Sequence, residues 1–290
     1  MFSYETDDHT ITITGFDGTV NFLNIPGAID GLPVTAIAPK AFAARSDVTE
    51  IALPGSITTL GGFAFHNCAN LKRITLHNTV TNYSDGVVKG CRAVEEVRVI
   101  ADAPEDVASY EVVKRMLTDT DVVLKFRFVY MAEKYDRVPV PLSYFSAEAV
   151  LIFPDYLAEA REDTRARAIH LTIEGAGYAY RECVSRKGID YAGYDALFDR
   201  VRQIAPVTAE DIALNRLMTP YRLYDKARAQ YEGFLREQSE ELLKRLIGLR
   251  DTERVRFLTQ EHLLDPAVID DCLDVAAGMP EIAALLMRYR

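Results

Sequence analysis

The chain of 290 residues carries only four cysteines, Cys68, Cys91, Cys183 and Cys272, too few and too scattered for a disulfide framework at this size. Free thiols are expected. Its opening residues, Met1-Phe2-Ser3-Tyr4-Glu5-Thr6-Asp7-Asp8, lack the positive start and apolar core of a secretory signal. Apolar runs such as Ala149-Val150-Leu151-Ile152-Phe153 fall far short of a membrane span, so a cytoplasmic location without membrane insertion is expected. Positive charge is scarce as well: 33 lysines and arginines against 43 acids leave a net −10 and a pI near 5.1. Such a chain repels phosphate backbones and anionic lipid, so no nucleic-acid partner is expected. Dividing it after Pro104 gives 7 basic residues against 11 acids, then 26 against 32, and neither part hides a basic domain. With 49% apolar and 26% charged residues, the chain reads as soluble, globular and long enough for two domains.

Laying the sequence on itself at an offset of 23 aligns Val34, Ile57 and Val80; Ile37, Leu60 and Tyr83; Phe42, Phe65 and Val88; Val48, Leu71 and Val94; Ile51, Ile74 and Val97; and Leu53, Leu76 and Val99. Six apolar columns at one period predict a solenoid, in which each unit leaves apolar faces open and only stacking closes them. Ile74 and Leu76 alternate with Arg73 and Thr75 like a half-buried strand. The stretch Leu60-Gly61-Gly62-Phe63-Ala64-Phe65-His66-Asn67-Cys68 suits a turn and a short helical arc that returns the chain.

The segment from Ile51 to Ile74, with Pro54-Gly55, Ala64-Phe65 and Leu71, resembles a unit of the BspA-like class of bacterial leucine-rich repeat proteins. Ile29-Asp30-Gly31-Leu32-Pro33-Val34, followed by Ala41-Phe42, resembles the first unit of such arrays, and the resemblance spans residues of about 20–100. It implies a leucine-rich solenoid that binds protein or cell-surface ligands, without catalytic residues. Two departures stand out: no export signal, and Asp85-Gly86-Val87-Val88 where Ala-Phe is the rule.

The ends of such a stack need cover. Phe2 to Tyr4 and Thr10 to Thr14, divided by Asp7-Asp8, predict a capping hairpin, and Ala103-Pro104 marks the expected domain boundary. Beyond it, a helix over 107–117 and a strand over 122–130 are expected, with Pro139 and Pro141 breaking the pattern. From Ser146 the pattern reads as mainly helical: 165–186, 194–204, 209–218, 226–236, 240–247, 252–259, 266–276 and 281–288. Offset by 28, Glu253, Phe257 and Leu258 align with Glu281, Leu285 and Leu286, so residues 238–290 resemble ankyrin-like helix pairs. The expected fold is α+β: a capped leucine-rich repeat solenoid over 1–104 and a mainly helical domain over 105–290.

The outward strand positions Glu50, Ala52, Arg73, Thr75, His77, Glu96 and Arg98 are the candidate binding face, weighed against a merely solvated sheet face. A second patch, Tyr178, Tyr180, Arg181, Tyr191 and Tyr194, with Arg186 and Lys187 nearby, suits stacking on a ligand but equally an ordinary helical interface. Cys68 and Cys91 share one stack position with Arg45 and read as buried fillers; His66 and His77 do not complete a zinc site, and no metal is expected. Glu174-Gly175-Ala176-Gly177 lacks the third glycine of a dinucleotide cradle and reads instead as small residues within a packed helix, so no cofactor is expected. His9, His66, His77, His170 and His262 are scattered, and Asp270-Asp271 fits a solvated helix face. These readings favour a non-enzymatic interaction or scaffolding module working through the strand face or the interdomain junction. An exported adhesin binding protein or glycan comes second, and an enzyme with a site near Tyr178, Tyr180 and Arg181 third.

Overall fold

A computed structural model describes residues 1–101, 110–131, 145–163, 168–186 and 188–290; Pro104, Pro139, Pro141 and Lys187 lie outside them. The chain divides into two compact units, Met1–Leu197 and Phe198–Arg290.

The first unit opens with β1 (Phe2–Thr6) and β2 (Ile11–Phe16), an antiparallel pair. Asp7 makes the turn, its Oδ1 accepting from the N–H groups of His9 and Thr10 at 2.9 and 2.6 Å. Then come β3 (Phe22–Asn24), β4 (Ala28–Ile29), β5 (Leu32–Ile37), β6 (Glu50–Ala52), β7 (Thr59–Leu60), β8 (Arg73–His77), β9 (Asn82–Tyr83) and β10 (Glu96–Ala101). They fall into two sheets. One runs β1-β2-β5-β7-β9 with β4 beside β5, and the other contains β10-β8-β6-β3. The 23-residue register is visible as parallel pairing: Ile51 faces Ile74 and Ile74 faces Val97, while Ile37 faces Leu60 and Leu60 faces Tyr83. Each of these side chains is buried, so every unit removes from water the apolar column of its neighbour.

The arcs between the sheets are joined by a second ladder of hydrogen bonds. The N–H groups of Lys40, Phe42 and Ala44 donate to the carbonyls of Gly62, Ala64 and His66 at 3.0, 2.8 and 2.7 Å; those of Phe63, Phe65 and Asn67 donate to Asp85, Val87 and Lys89 at 3.1, 2.9 and 3.0 Å. Inside this ladder Phe42 and Phe65 stack with ring centroids 5.6 Å apart. The buried thiols of Cys68 and Cys91 donate to the Phe42 and Phe65 carbonyls at 3.2 and 3.0 Å. In the first unit the same stack position holds Arg45. Its guanidinium donates to the carbonyls of Phe16 and Gly18 at the end of β2, at 2.9 and 2.7 Å, and pairs with Asp47 at 2.6 Å.

Among the described residues, no following arc receives the amides of the last unit. Helix α1 (Glu111–Asp119) brings the Asp119 carboxylate there instead: Oδ1 accepts from the Gly86 N–H and Oδ2 from the Val88 N–H, both at 3.2 Å, and Oδ2 also accepts from the Tyr83 hydroxyl at 2.6 Å. One side chain thus replaces the carbonyls of a missing unit.

The compact units do not divide after Pro104. Strand β11 (Leu124–Met131) pairs in parallel with β10, Val97 opposite Phe126, and β12 (Phe145–Phe153) pairs antiparallel with β11. The second sheet is therefore six-stranded, β12-β11-β10-β8-β6-β3, and its apolar column continues through Phe126. Nor is the stretch after 146 mainly helical at its start. β13 (Leu157–Asp163) and β14 (Ala168–Glu174) form an antiparallel pair where part of a helix over 165–186 was expected. Gly175 turns the chain at φ +91°, and α2 (Gly177–Glu182) begins so close to the end of β12 that a Cβ at Gly177 would lie 2.1 Å from the Pro154 oxygen. The small residues serve that approach rather than the interior of one long helix. β15 (Val184–Ser185), β16 (Gly188–Ile189) and α3 (Tyr191–Ala196) complete the unit.

The second unit comprises α4 (Phe198–Ile204), α5 (Pro206–Met218), α6 (Asp225–Glu237), α7 (Ser239–Gly248), α8 (Thr252–Gln260), α9 (Pro266–Leu273) and α10 (Pro280–Arg288). Pro206, Pro266 and Pro280 stand in first turns, where a missing N–H costs nothing. Asp251 and Asp265 cap α8 and α9 by accepting from the N–H groups of Arg254 and Ala267. Helices α7 and α10 each pack against both α8 and α9. Among the described residues no helix is long and apolar enough to cross a membrane.

Candidate functional site

The pleat of the six-stranded sheet sends alternate side chains to opposite sides. Leu23, Ile51, Ile74, Val97 and Phe126 point inward and are buried. The opposite side carries two columns in register: Phe22, Glu50, Arg73, Glu96 and Lys125, then Asn24, Ala52, Thr75, Arg98 and Arg127. A depression of about 200 Å³ lies on this side, walled by Phe22, Glu50, Ala52, Arg73, Thr75, Glu96 and Arg98 above the backbone of Ile51 and Ile74. Six of the seven strand-face positions expected from the repeat therefore meet in one place.

The seventh does not. His77 is only 6% exposed, and its Nδ1 lies 3.2 Å from where a Cβ on Gly55 would be. Its ring fills the space that Gly55 leaves empty, so it belongs to the interior. Phe22 takes part although the repeat did not point to it: its ring is 51% exposed at the rim, on the strand that ends the sheet.

The charges of this side are largely paired along the ladder. Arg73 pairs with Glu50 on the neighbouring strand. Glu96 receives Lys125 at 2.5 Å and Arg127 at 3.4 Å, and Arg127 reaches Glu148 of β12 at 2.7 Å. Burial by itself would lift the Glu96 carboxyl, but Lys125, Arg127 and Arg98 outweigh it and hold its pKa below the usual glutamate value. Arg98 is exposed and makes no ion pair among the described residues. Among the described residues, four cations, Arg73, Arg98, Lys125 and Arg127, thus face three carboxylates, Glu50, Glu96 and Glu148, on a chain whose net charge is −10.

The tyrosine-rich patch is interior. Tyr180 and Tyr194 have no exposed surface, and Tyr191 and Arg181 have 5% and 4%; only Tyr178 reaches solvent. The Tyr194 hydroxyl donates to the Ile152 carbonyl at 2.6 Å and accepts its N–H at 2.9 Å, closing the outer edge of β12. Tyr191 joins Tyr130 at 2.7 Å. The five N–H donors of Arg181 go to the carbonyls of Leu117, Pro154, Gly177, Thr120 and Val122, and burial lowers its pKa. Apart from Tyr178, these side chains fill the interior. Among the described residues no three His, Cys, Asp or Glu side chains converge as metal ligands would.

Residues 19–109 match, in six copies, the model of the BspA type leucine rich repeat region. No curated protein matches the chain. Among solved structures, the chain is similar to a leucine rich repeat protein of T. pallidum at 26% identity, over 35% of this chain and 51% of that one, with a TM-score of 0.32. A leucine-rich repeat protein from Bacteroides capillosus ATCC 29799 is also 26% identical, over 33% and 76%, at 0.32. A leucine rich cell surface protein from Faecalibacterium prausnitzii A2-165 is 24% identical, over 35% and 31%, at 0.29. The chain spans about half the length of the first of these. The matched segment contains β3 to β10, and residues 19–109 are a BspA-type leucine-rich repeat region.

Proposed function

We propose that the chain is a non-enzymatic protein-binding module, its repeats stacked as a solenoid capped by the β1–β2 hairpin, that engages a partner through the outward side of the six-stranded sheet. The observation that carries this reading is the depression, in which Phe22, Glu50, Arg73, Glu96 and Arg98 converge on a backbone held rigid by two hydrogen-bond ladders. Side chains fixed on strands lose little freedom when a partner arrives. Helix pairs α7–α8 and α9–α10, with Thr252 and Pro280 28 residues apart, fit an ankyrin-like arrangement that serves as scaffold.

Selection of a displayed library of protein segments on the immobilised chain tests this. Segments that bind the chain and lose it on Arg73→Glu combined with Glu96→Arg support the strand face. Enriched segments indifferent to that double change refute it.

A further inference from the structure

The depression has two unlike ends. At one, the exposed Phe22 ring stands on the last strand of the sheet; at the other, Arg98 projects from β10 with no ion-pair partner among the described residues. Between them Glu50 and Arg73 neutralise each other, and Glu96 and Glu148 are balanced by Lys125 and Arg127. An arriving ligand therefore meets an apolar contact, a neutral floor of Ala52 and Thr75, and the Arg98 guanidinium, which makes no ion pair among the described residues.

Resting on the strand-face reading, the geometry points to a partner of defined chemistry: an extended acidic peptide of another protein, laid across the strands with a carboxylate on Arg98 and an aromatic or aliphatic side chain on Phe22. Three strand spacings of about 4.8 Å and one two-residue step of about 6.7 Å separate the two positions, roughly 16 Å in all. An extended chain rises about 3.3 Å per residue and turns alternate side chains to the same side, so the acid and the apolar residue stand four positions apart, about 13 Å, and the Arg98 side chain spans the remainder. A guanidinium takes a carboxylate through two parallel hydrogen bonds, which favours Asp or Glu over a neutral amide. The excess positive charge of the face, set in an acidic chain, draws in acidic segments and turns away basic ones.

The test uses the intact chain and fluorescence polarisation with three labelled peptides of about nine residues: Asp and Phe four positions apart in a Ser/Thr background, the same with Asn for Asp, and the same residues with Asp and Phe adjacent. The first peptide is expected to bind at least about tenfold more tightly than the other two, and less tightly as salt rises. Arg98→Gln should remove the preference for Asp over Asn while leaving the Asn peptide unchanged, and Phe22→Ser should weaken the first peptide by about tenfold. Both positions are exposed, so the fold is retained, with circular dichroism as the check. Equal binding of the three peptides, binding indifferent to Arg98→Gln, or no binding of the first peptide overturns the proposal. If library segments still depend on Arg73 and Glu96 when the Asp–Phe peptide fails, only the peptide assignment falls.

Discussion

Replacing Asp119 by alanine removes the acceptor for three donors at once: the Gly86 and Val88 N–H groups and the Tyr83 hydroxyl. All three residues are buried, Tyr83 and Val88 at 5% exposure, and burial with Asp119 beside it raises the Tyr83 pKa well above 10, so the phenol stays a proton donor. A buried donor stripped of its partner costs about 1–3 kcal/mol, and at about 1–2 kcal/mol each, with some water entering, the three sum to roughly 3–6 kcal/mol. Asp119→Asn keeps one carbonyl oxygen and should cost about half as much. For a unit of this size the alanine change lowers the melting midpoint by roughly 10 °C. Amide hydrogen exchange gives the sharper readout, with Gly86 and Val88 exchanging at least about 100-fold faster while Phe42, whose N–H donates to Ala64, changes far less. An unchanged midpoint together with unchanged exchange at Gly86 and Val88 would show that the carboxylate does not close the ladder.

Three further outcomes are expected. Phe65→Ala or Ile74→Ala empties a core position less than 3% exposed and should cost about 2–5 kcal/mol by calorimetry; identical melts would contradict the stacked columns. Arg181→Lys supplies three donors where five carbonyls are served, so urea unfolding should show a loss of about 2 kcal/mol or more, and equal midpoints would refute that role. Arg45 and the Val20 N–H hold the Asp47 carboxyl below its usual pKa. A depressed carboxyl contributes stability above its unfolded pKa of about 3.9 and loses it as pH falls through the folded value. Wild type should therefore weaken from about pH 4 downward more steeply than Asp47→Asn, and equal slopes of urea midpoint against pH would dismiss the Asp47 contribution.

The stacked strands were legible because a repeat writes the same constraint several times: Ile51, Ile74 and Val97 occupy one environment and share one kind of side chain. Features that occur once were harder to read. Phe22 pairs with Glu50 across 28 residues rather than 23, so the period steps over it. His77 keeps the outward parity of Thr75, and only the missing side chain of Gly55 explains why it turns inside. In β12, Val150 and Ile152 share the parity of Arg127 and Lys125 yet are buried, which erases the alternation that marks a strand. Four of the five residues of the tyrosine patch lie inside, because residue type alone does not separate a ligand-stacking tyrosine from one whose hydroxyl closes a sheet edge, as Tyr194 does at Ile152. One signal was present and unused: Tyr83 stands in a column otherwise filled by Ile37 and Leu60, and its hydroxyl makes sense only with Asp119.

That carboxylate also dictates how such an array can lengthen. A copy of the final module placed after itself would strand a phenol between two coils with no acid to meet it, whereas duplicating the 23 residues of the middle module leaves the terminator and its three clients together. Growth by internal duplication is the permitted route, and the junction with α1 works as a stop sign that travels with the last coil.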